Sequence, residues 1–279
     1  MKSGKVWALR TAFRTVGTVA PGAAARWAET LFCSPPRHLP RSSDQAFLAT
    51  GSRFTVRSEG QDLAAWEWGD GPAVLLMHGW GSRAGRLRAI ASALVQGGFR
   101  VVAFDAPAHG DSTGRFASLP EFARGLRAVG DRVGPLRGVV GHSLGGAAIS
   151  VALRDGLAAE RVVLIAPPAD VRLFAHAFGR QLRLPRRVQD TMLRNLEARL
   201  RFRFEELHIT AFAPQLRAAV LILHDRDDPD VPFSQGEAIA GAWPGARLVP
   251  TTGLGHRSIL RDQAVIGESV RFLGEGLAG

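Results

Sequence analysis

The fold of this chain is decided by the segment Leu136-Arg137-Gly138-Val139-Val140-Gly141-His142-Ser143-Leu144-Gly145. Its first five residues form a short apolar run that predicts a buried strand, and the residues after Gly145 have a helix-forming composition. A serine flanked by glycines between a strand and a helix is typical of a nucleophile elbow, although a glycine-rich loop with an incidental serine has the same local pattern. The elbow interpretation predicts a strained Ser143 at the N-terminus of a helix, where developing negative charge is stabilised.

Apolar runs and helix-like segments alternate along the chain from about residue 53. A continuous apolar run such as Ala73–Met77 is expected of a strand that is covered on both faces. The pattern predicts a hairpin of strands 53–57 and 63–68, strands at 73–77, 99–104, 139–140, 161–165, 220–223 and 246–249, and helices at 86–96, 120–133 and 263–273. This alternation predicts an α/β fold with a mostly parallel, eight-stranded-type sheet and helices on both faces.

The segment from about 169 to 214 interrupts this alternation, because it contains no good strand. Its apolar residues recur at helical spacing between many arginines, which predicts two or three amphipathic helices inserted between strands. In a parallel sheet, ligands bind beyond the carboxyl ends of the strands, so an insertion at that edge is expected to form a short helical lid.

Composition limits the class of protein. The chain has 279 residues, of which 46% are hydrophobic, and this is enough for one large domain with a full core. The formal net charge of +10 comes almost entirely from arginine and can attract an anionic partner, but no nucleic-acid-binding motif accompanies it, so specific nucleic-acid binding is not expected. Cys33 is the only cysteine, which excludes an intrachain disulfide and fits a cytoplasmic location.

Residues 1–45 are predicted to be an N-terminal helical extension to a domain spanning residues 46–279. Val6, Leu9, Phe13 and Val16 recur at helical spacing, while the arginines between them argue against a signal peptide. The favoured interpretation is an extra helix docked on the domain. The alternative is a basic amphipathic helix that makes peripheral contact with a membrane surface.

From about residue 53 to its C-terminus, the chain resembles the α/β-hydrolases. Besides the elbow, three segments in the expected order carry the resemblance, and each follows a predicted strand: His78-Gly79-Trp80-Gly81, Asp105-Ala106-Pro107-Ala108-His109-Gly110-Asp111-Ser112, and His224-Asp225-Arg226-Asp227-Asp228-Pro229-Asp230-Val231-Pro232. A fourth segment, Gly253-Leu254-Gly255-His256, follows the last predicted strand.

The resemblance implies a catalytic triad of Ser143, Asp228 and His256, in the chain order of this fold. It also implies an oxyanion hole formed by the backbone N–H groups of Trp80 and Leu144. Asp225 stands where the family commonly has glycine. Asp225 and Asp227 are therefore kept as alternatives for the acid.

Other polar residues of these segments are expected to have structural roles. The side chain of His78 is expected to hydrogen-bond its own loop, and Asp105 and His109 to shape the loop beside the pocket. The acidic segment after residue 224 can suggest a metal site, but its spacing matches no calcium loop. Neither a metal nor an organic cofactor is expected.

The resemblance implies a serine hydrolase that cleaves a carboxylic ester of a small-molecule acyl substrate through an acyl-enzyme. Amides, thioesters, lactones and carbon–carbon bonds are cleaved by the same arrangement of residues. The fold therefore does not determine which type of bond is cleaved. The alternatives are an acyltransferase and a non-catalytic binding protein of the same fold.

Overall fold

The computed structural model describes residues 3–277, and their side chains from residue 6 onward. Within this range the strands are β1 Ser52–Ser58, β2 Gln61–Trp68, β3 Ala73–Met77, β4 Arg100–Phe104, β5 Leu136–His142, β6 Arg161–Ile165, β7 Ala219–Asp225 and β8 Arg247–Thr251. The α-helices are α1 Ser3–Val19, α2 Pro21–Phe32, α3 Ser42–Leu48, α4 Arg88–Gln96, α5 Leu119–Val133, α6 Leu144–Arg154, α7 Arg172–Leu182, α8 Arg186–Leu200, α9 Ile209–Phe212, α10 Phe233–Ala242, α11 Gly255–Ser258 and α12 Gln263–Gly274.

The strands form a single eight-stranded sheet in the order β1-β2-β4-β3-β5-β6-β7-β8. The pairs β1·β2 and β2·β4 are antiparallel, and the pairs from β4 through β3 and β5 to β8 are parallel. The predicted α/β fold with a mostly parallel sheet is therefore confirmed.

Helices cover both faces of the central strands. Val74 and Leu76 of β3 belong to an apolar cluster with Leu94 of α4 and Leu273 of α12. Because successive strand residues point to opposite faces, Leu75 lies on the other face, where α5 and α6 contact β3. Burial on both faces explains why the sequence of β3 is continuously apolar rather than alternating.

The strand order reverses its direction at β3. This strand lies between β4 and β5, so the chain runs from β3 to β4 on one side and returns to β5 on the other. The loops that follow β3 and β5 therefore diverge at the carboxyl edge, and this divergence is the usual ligand position in an open α/β sheet. The loop that begins at His78 and the turn at Ser143 both lie at this edge.

The chain divides into two compact units. The sheet unit comprises Pro35–Ala169 and Ile209–Gly279, and the helical unit comprises Met1–Ser34 and Asp170–His208. The helical unit contains α1, α2, α7 and α8, so the segment inserted between β6 and β7 shares its unit with the N-terminal helices. With α9, residues 169–214 form three α-helices, while their action as a lid stays a prediction.

The helical unit is held together by aromatic contacts and ion pairs. Phe13 of α1 is fully buried and stacks on Trp27 of α2, with ring centroids 4.2 Å apart. Phe32 meets Phe178 of α7 edge-on at 5.3 Å, and Glu29 accepts a hydrogen bond from a guanidinium of α8 at 2.8 Å. These contacts join two stretches of chain that are far apart in sequence.

The periodic apolar face of α1 points into its own unit. Gly17 lies so close to α8 that a Cβ there would be 3.0 Å from Cγ of Pro185, and Arg187 donates to the Gly17 carbonyl at 2.8 Å. Within the helical unit, α1 therefore packs against the start of α8, while its docking on the domain stays a prediction. Trp7 is 69% exposed, and contact with a membrane surface stays a prediction. Among residues 3–277, no helix combines the length and the apolar character that crossing a bilayer requires.

Candidate active site

Ser143 occupies a sharp turn between β5 and α6. Its φ of 54° and ψ of −126° lie outside the regions that L-residues normally adopt. The turn is fixed at one end by a hydrogen bond of 2.9 Å from the Ser143 N–H to the carbonyl of Ile165 in β6. Strain of this kind persists only where the surrounding structure enforces it, and it is common at reactive residues.

The turn is pressed against the end of β3, which explains the glycine two positions after the serine. A Cβ on Gly145 would lie 2.5 Å from the carbonyl oxygen of Met77 and 2.6 Å from that of His78. Backbone atoms cannot yield as a flexible side chain can, so a larger residue at 145 would separate α6 from β3. The elbow motif is therefore needed for packing as well as for the turn.

The loop after β3 lies directly against the serine. A Cβ on Gly79 would be 2.9 Å from Cβ of Ser143, so the Gly79 backbone is in close contact with the turn. Trp80 follows in the same loop, and its indole stacks on Phe122. Leu144 begins α6, and the first N–H groups of a helix have no acceptor within the helix. The predicted oxyanion donors thus sit on the two segments that meet at Ser143.

Two neutral histidines shape this loop. Nε2 of His78 accepts the N–H of Ala106 at 3.0 Å, so Nδ1 carries the proton and donates to the Gly79 carbonyl at 2.7 Å. Nε2 of His109 likewise accepts the N–H of Gly81 at 3.0 Å, and its Nδ1 donates to Pro107 at 2.8 Å. Burial lowers the pKa of His78 to about 4 and that of His109 to about 3. Both side chains make the structural contacts expected from the sequence.

Asp105 joins the same loop to the segment that carries His109. One carboxylate oxygen accepts the N–H of Ala84 at 2.7 Å, and the other accepts the N–H of Asp111 at 2.7 Å. Burial raises the pKa of Asp105 above its ordinary value despite these bonds. The carboxylate thus organises the loops that follow β3 and β4, which fits the structural role expected of it.

Asp228 and His256 form a buried pair. Oδ2 of Asp228 lies 2.7 Å from Nδ1 of His256, and both residues are 8% exposed. Oδ1 accepts the backbone N–H groups of Asp230 and Val231, each at 2.8 Å. Burial raises the pKa of Asp228, but the hydrogen bonds from His256 and Val231 outweigh it and leave the pKa below its ordinary value. The ionised carboxylate therefore faces a protonated Nδ1.

His142 connects this pair to the elbow. Its Nε2 donates to the backbone carbonyl of His256 at 2.8 Å, and the two imidazole rings have centroids 4.6 Å apart. Burial lowers the pKa of His142 to about 3, so the ring is neutral. Since Ser143 is the next residue, the loop that carries His256 is bonded to the strand that leads into the serine.

The two alternative acids do not bind the His256 ring: both accept backbone N–H groups, and Asp225 also accepts the Thr251 hydroxyl. Both oxygens of Asp225 accept hydrogen bonds from the loops at 227 and 251–255, and Oδ2 of Asp227 accepts the N–H of Gly253 at 2.9 Å. In the part of the chain that the structure describes, no group of three or more His, Cys, Asp or Glu side chains could hold a metal ion. Of the predicted residues, Asp228 and His256 are in direct contact. The catalytic action of a triad formed by Ser143, Asp228 and His256 remains a prediction.

Sequence reasoning missed the contribution of Asp225, which it considered only as a substitute acid. The available signal was its place where the resemblance leads one to expect glycine. An aspartate where glycine is common indicates a structural role for its carboxylate. A buried carboxylate requires several hydrogen-bond donors around it, so the neighbouring backbone must supply them.

Comparison with known proteins identifies the family. Residues 74–268 match the model of the alpha/beta hydrolase family. The chain therefore belongs to the alpha/beta hydrolase family. This membership confirms the predicted family and the prediction of a hydrolytic enzyme.

The individual relatives have low sequence identity to this chain. A non-heme haloperoxidase of Rhodococcus erythropolis is 33% identical over 134 residues, which cover 45% of this chain and 48% of that protein, about half its length. A bifunctional esterase/perhydrolase of Acinetobacter calcoaceticus is 24% identical over 258 residues, covering 73% of this chain and 92% of that protein. Among solved structures, an esterase of Pyrococcus furiosus superposes with a TM-score of 0.67 at 18% identity, covering 86% of this chain and 98% of that one. The structural likeness establishes the fold.

Proposed function

We propose that the protein is a serine hydrolase that cleaves a carboxylic ester of a small-molecule acyl substrate through an acyl-enzyme. The observation that carries the proposal is the 2.7 Å hydrogen bond between Asp228 and Nδ1 of His256. The backbone of His256 is in turn bonded to His142, the residue before Ser143. A carboxylate on Nδ1 leaves Nε2 as the nitrogen that can accept a proton, which is the arrangement a general base needs.

In the proposed reaction, Oγ of Ser143 attacks the acyl carbonyl as Nε2 of His256 takes its proton. The N–H groups of Trp80 and Leu144 stabilise the negative charge on the carbonyl oxygen, each by about 3 kcal/mol in comparable sites. The leaving alkoxide takes the proton from His256 and departs as the alcohol. Water then attacks the acyl-enzyme as His256 takes its proton, and His256 returns this proton to Oγ of Ser143 as the acyl–Oγ bond breaks and the acid leaves. Asp228 keeps the imidazole in the required tautomer throughout.

The ester as substrate is supported by the relatives, since two of the similar proteins are named as an esterase or a bifunctional esterase. The contacts of His78, in the loop after β3, and of His109, in the segment after β4, support the oxyanion hole. Their rings bond the Gly79 carbonyl and the Gly81 N–H, the backbone groups on either side of Trp80, and so fix the loop that carries the Trp80 N–H.

The test is intact-mass analysis after treatment with a fluorophosphonate, which phosphonylates activated serines. The native chain should gain one adduct, and Ser143→Ala should gain none. Ser150→Ala removes a buried hydroxyl from the same helix, one that donates within the helix to the Gly146 carbonyl, and should still be labelled. A folded native protein that gains no adduct would contradict the proposal and favour the non-catalytic binding protein.

A second candidate is acyl transfer to an acceptor other than water. The observation in its favour is that similar proteins are named a haloperoxidase and an esterase/perhydrolase. Hydrogen peroxide attacking the same acyl-enzyme would yield a peracid. Formation of peracid from an ester and peroxide, measured beside the free acid, would distinguish the two reactions, and Ser143→Ala should abolish both.

A further inference from the structure

We propose that Asp225 is a positioning residue for His256: its carboxylate holds the loop between β8 and α11 in the one conformation that presents the imidazole to Asp228 and Ser143. This inference rests on the proposed function, because it assigns His256 the part of the base. It adds a residue that touches neither substrate nor reacting atoms.

The carboxylate of Asp225 is surrounded by donors. Oδ2 accepts the hydroxyl of Thr251 at 2.7 Å and the N–H of Leu254 at 3.1 Å. Oδ1 accepts the N–H of Gly255 at 3.0 Å and that of Asp227 at 3.1 Å. Three of these four donors belong to the five residues that immediately precede His256.

The charge of Asp225 is maintained by these contacts. The residue is fully buried, and burial alone would raise its pKa. The hydrogen bonds from Thr251 and from the backbone outweigh burial, so the pKa lies below its ordinary value. An anion with four donors is a strong acceptor, because bonds to a charged acceptor are roughly twice as strong as neutral ones.

The loop requires an external acceptor to hold this shape. Gly253 and Gly255 both have positive φ, 78° and 63°, so two of the three residues before His256 have unusual backbone freedom. Asp225 fixes the N–H groups of Leu254 and Gly255, and His142 fixes the carbonyl of His256. The backbone is thus held on both sides of the imidazole, while Asp228 holds the ring itself.

Asp225 therefore does a different task from Asp228, although both lie in one acidic segment. Its two oxygens already have two donors each, and Nδ1 of His256 bonds Asp228. Within the acidic segment, Asp228 binds the imidazole ring of His256, and Asp225 binds the loop that precedes His256.

The first variant is Asp225→Asn, which keeps the shape but turns an NH2 group toward N–H donors. We expect kcat to fall about 10- to 100-fold, as small misplacements of a catalytic group do, with KM nearly unchanged. The low-field proton resonance of His256 Nδ1–H, which reports its bond to Asp228, should broaden or disappear. Asp262→Asn is the matched control: its carboxylate accepts the N–H of Val265 at the start of α12, where asparagine caps equally well, so kcat and the resonance should not change.

A second pair of variants decides the matter if Asp225→Asn does not fold. Thr251→Val removes one donor from the carboxylate, and Thr251→Ser keeps it. We expect Thr251→Val to lower kcat several-fold and to shift the resonance, and Thr251→Ser to restore both.

Two results would overturn the proposal: native kcat and an unchanged resonance in Asp225→Asn, or a variant that loses thermal stability while the resonance stays in place. The test is separable from that of the proposed function. If the native chain did not react with a fluorophosphonate, the hydrolase proposal would fail, while the resonance would still report whether Asp225 positions His256.

Discussion

The carboxylate of Asp228 meets the imidazole of His256 through one oxygen only. Oδ2 is 2.7 Å from Nδ1, whereas Oδ1 is occupied by the N–H groups of Asp230 and Val231. The carboxylate cannot turn without losing these two backbone bonds. Only Oδ2 is therefore available to the ring, and replacing this one atom changes the hydrogen bond to Nδ1 of His256.

Asp228→Asn should lower kcat about 10 000-fold while leaving the fold intact. The amide oxygen would keep the two backbone N–H groups, which directs the NH2 group at Nδ1. The imidazole would then carry its proton on Nε2, the atom that must accept the proton of Ser143. Kinetics with an ester substrate and circular dichroism would measure the two effects.

Asp230→Asn is the control for Asp228→Asn. The Asp230 side chain makes an exposed contact of 3.6 Å with Arg257, and such ion pairs contribute little. Its kcat should stay near that of the native chain. An active Asp228→Asn would remove Asp228 from its assigned role.

Gly79→Ala should lower kcat about 100-fold. The added methyl would lie 2.9 Å from Cβ of Ser143 and 3.1 Å from the His142 carbonyl, so the loop must retreat and take the Trp80 N–H with it. The loss of one oxyanion donor has an effect of this size. Gly241→Ala is the control, since a Cβ there meets nothing within 4 Å, and native activity in Gly79→Ala would argue against Trp80 as a donor.

Ser143→Gly should be more stable than Ser143→Ala, by about 1 kcal/mol or more. The reason is the φ of 54° at this residue, a conformation that glycine adopts freely and alanine does not. At ordinary positions alanine is the more stabilising of the two. Denaturant unfolding of both variants would test the strain directly, and an equal or reversed order would show that the turn is relaxed.

Stability should fall as pH decreases from about 6.5 towards 4. Burial lowers the pKa of His78 to about 4 and those of His109 and His142 to about 3, from an ordinary value of 6.5. Below pH 6.5 the unfolded chain takes up protons that the folded chain does not, so each histidine costs about 1.4 kcal/mol per pH unit over this range. Urea unfolding at pH 7.5, 6 and 5 would measure the slope. His109→Gln should reduce it, and an unchanged slope would show that the buried His109 is not among its causes.

The central sheet could be predicted from sequence because its signals are local. The apolar run at residues 73–77 gives β3 at its observed bounds, and the helix predicted at 263–273 ends within one residue of α12. Residues 1–45 were predicted only in general terms as a helical extension, without the separate bounds of α2 and α3. The packing of α2 depends on α8, more than a hundred residues away, and no local pattern contains that information.

The candidate site was predictable only in part for a similar reason. The resemblance named Asp228 and His256 because each stands in a segment that follows a particular strand of the fold. The structure shows the two side chains in contact. The contacts of Asp225 depend on the detailed path of residues 251–255, where two glycines with positive φ allow many conformations. The resemblance therefore favoured Asp228 as the partner of the ring, with Asp225 and Asp227 as alternatives, but it did not indicate that Asp225 would bind the backbone before His256.

The composition of the helical unit has a consequence for the timing of synthesis. Glu29 is paired with Arg199, a residue made 170 positions later. At about 5–20 residues per second, the faces of α1 and α2 that pack against α7 and α8 leave the ribosome roughly 10–30 s before those two helices are made. During that interval, the apolar surface of α2 that later packs against α7 and α8 stays uncovered.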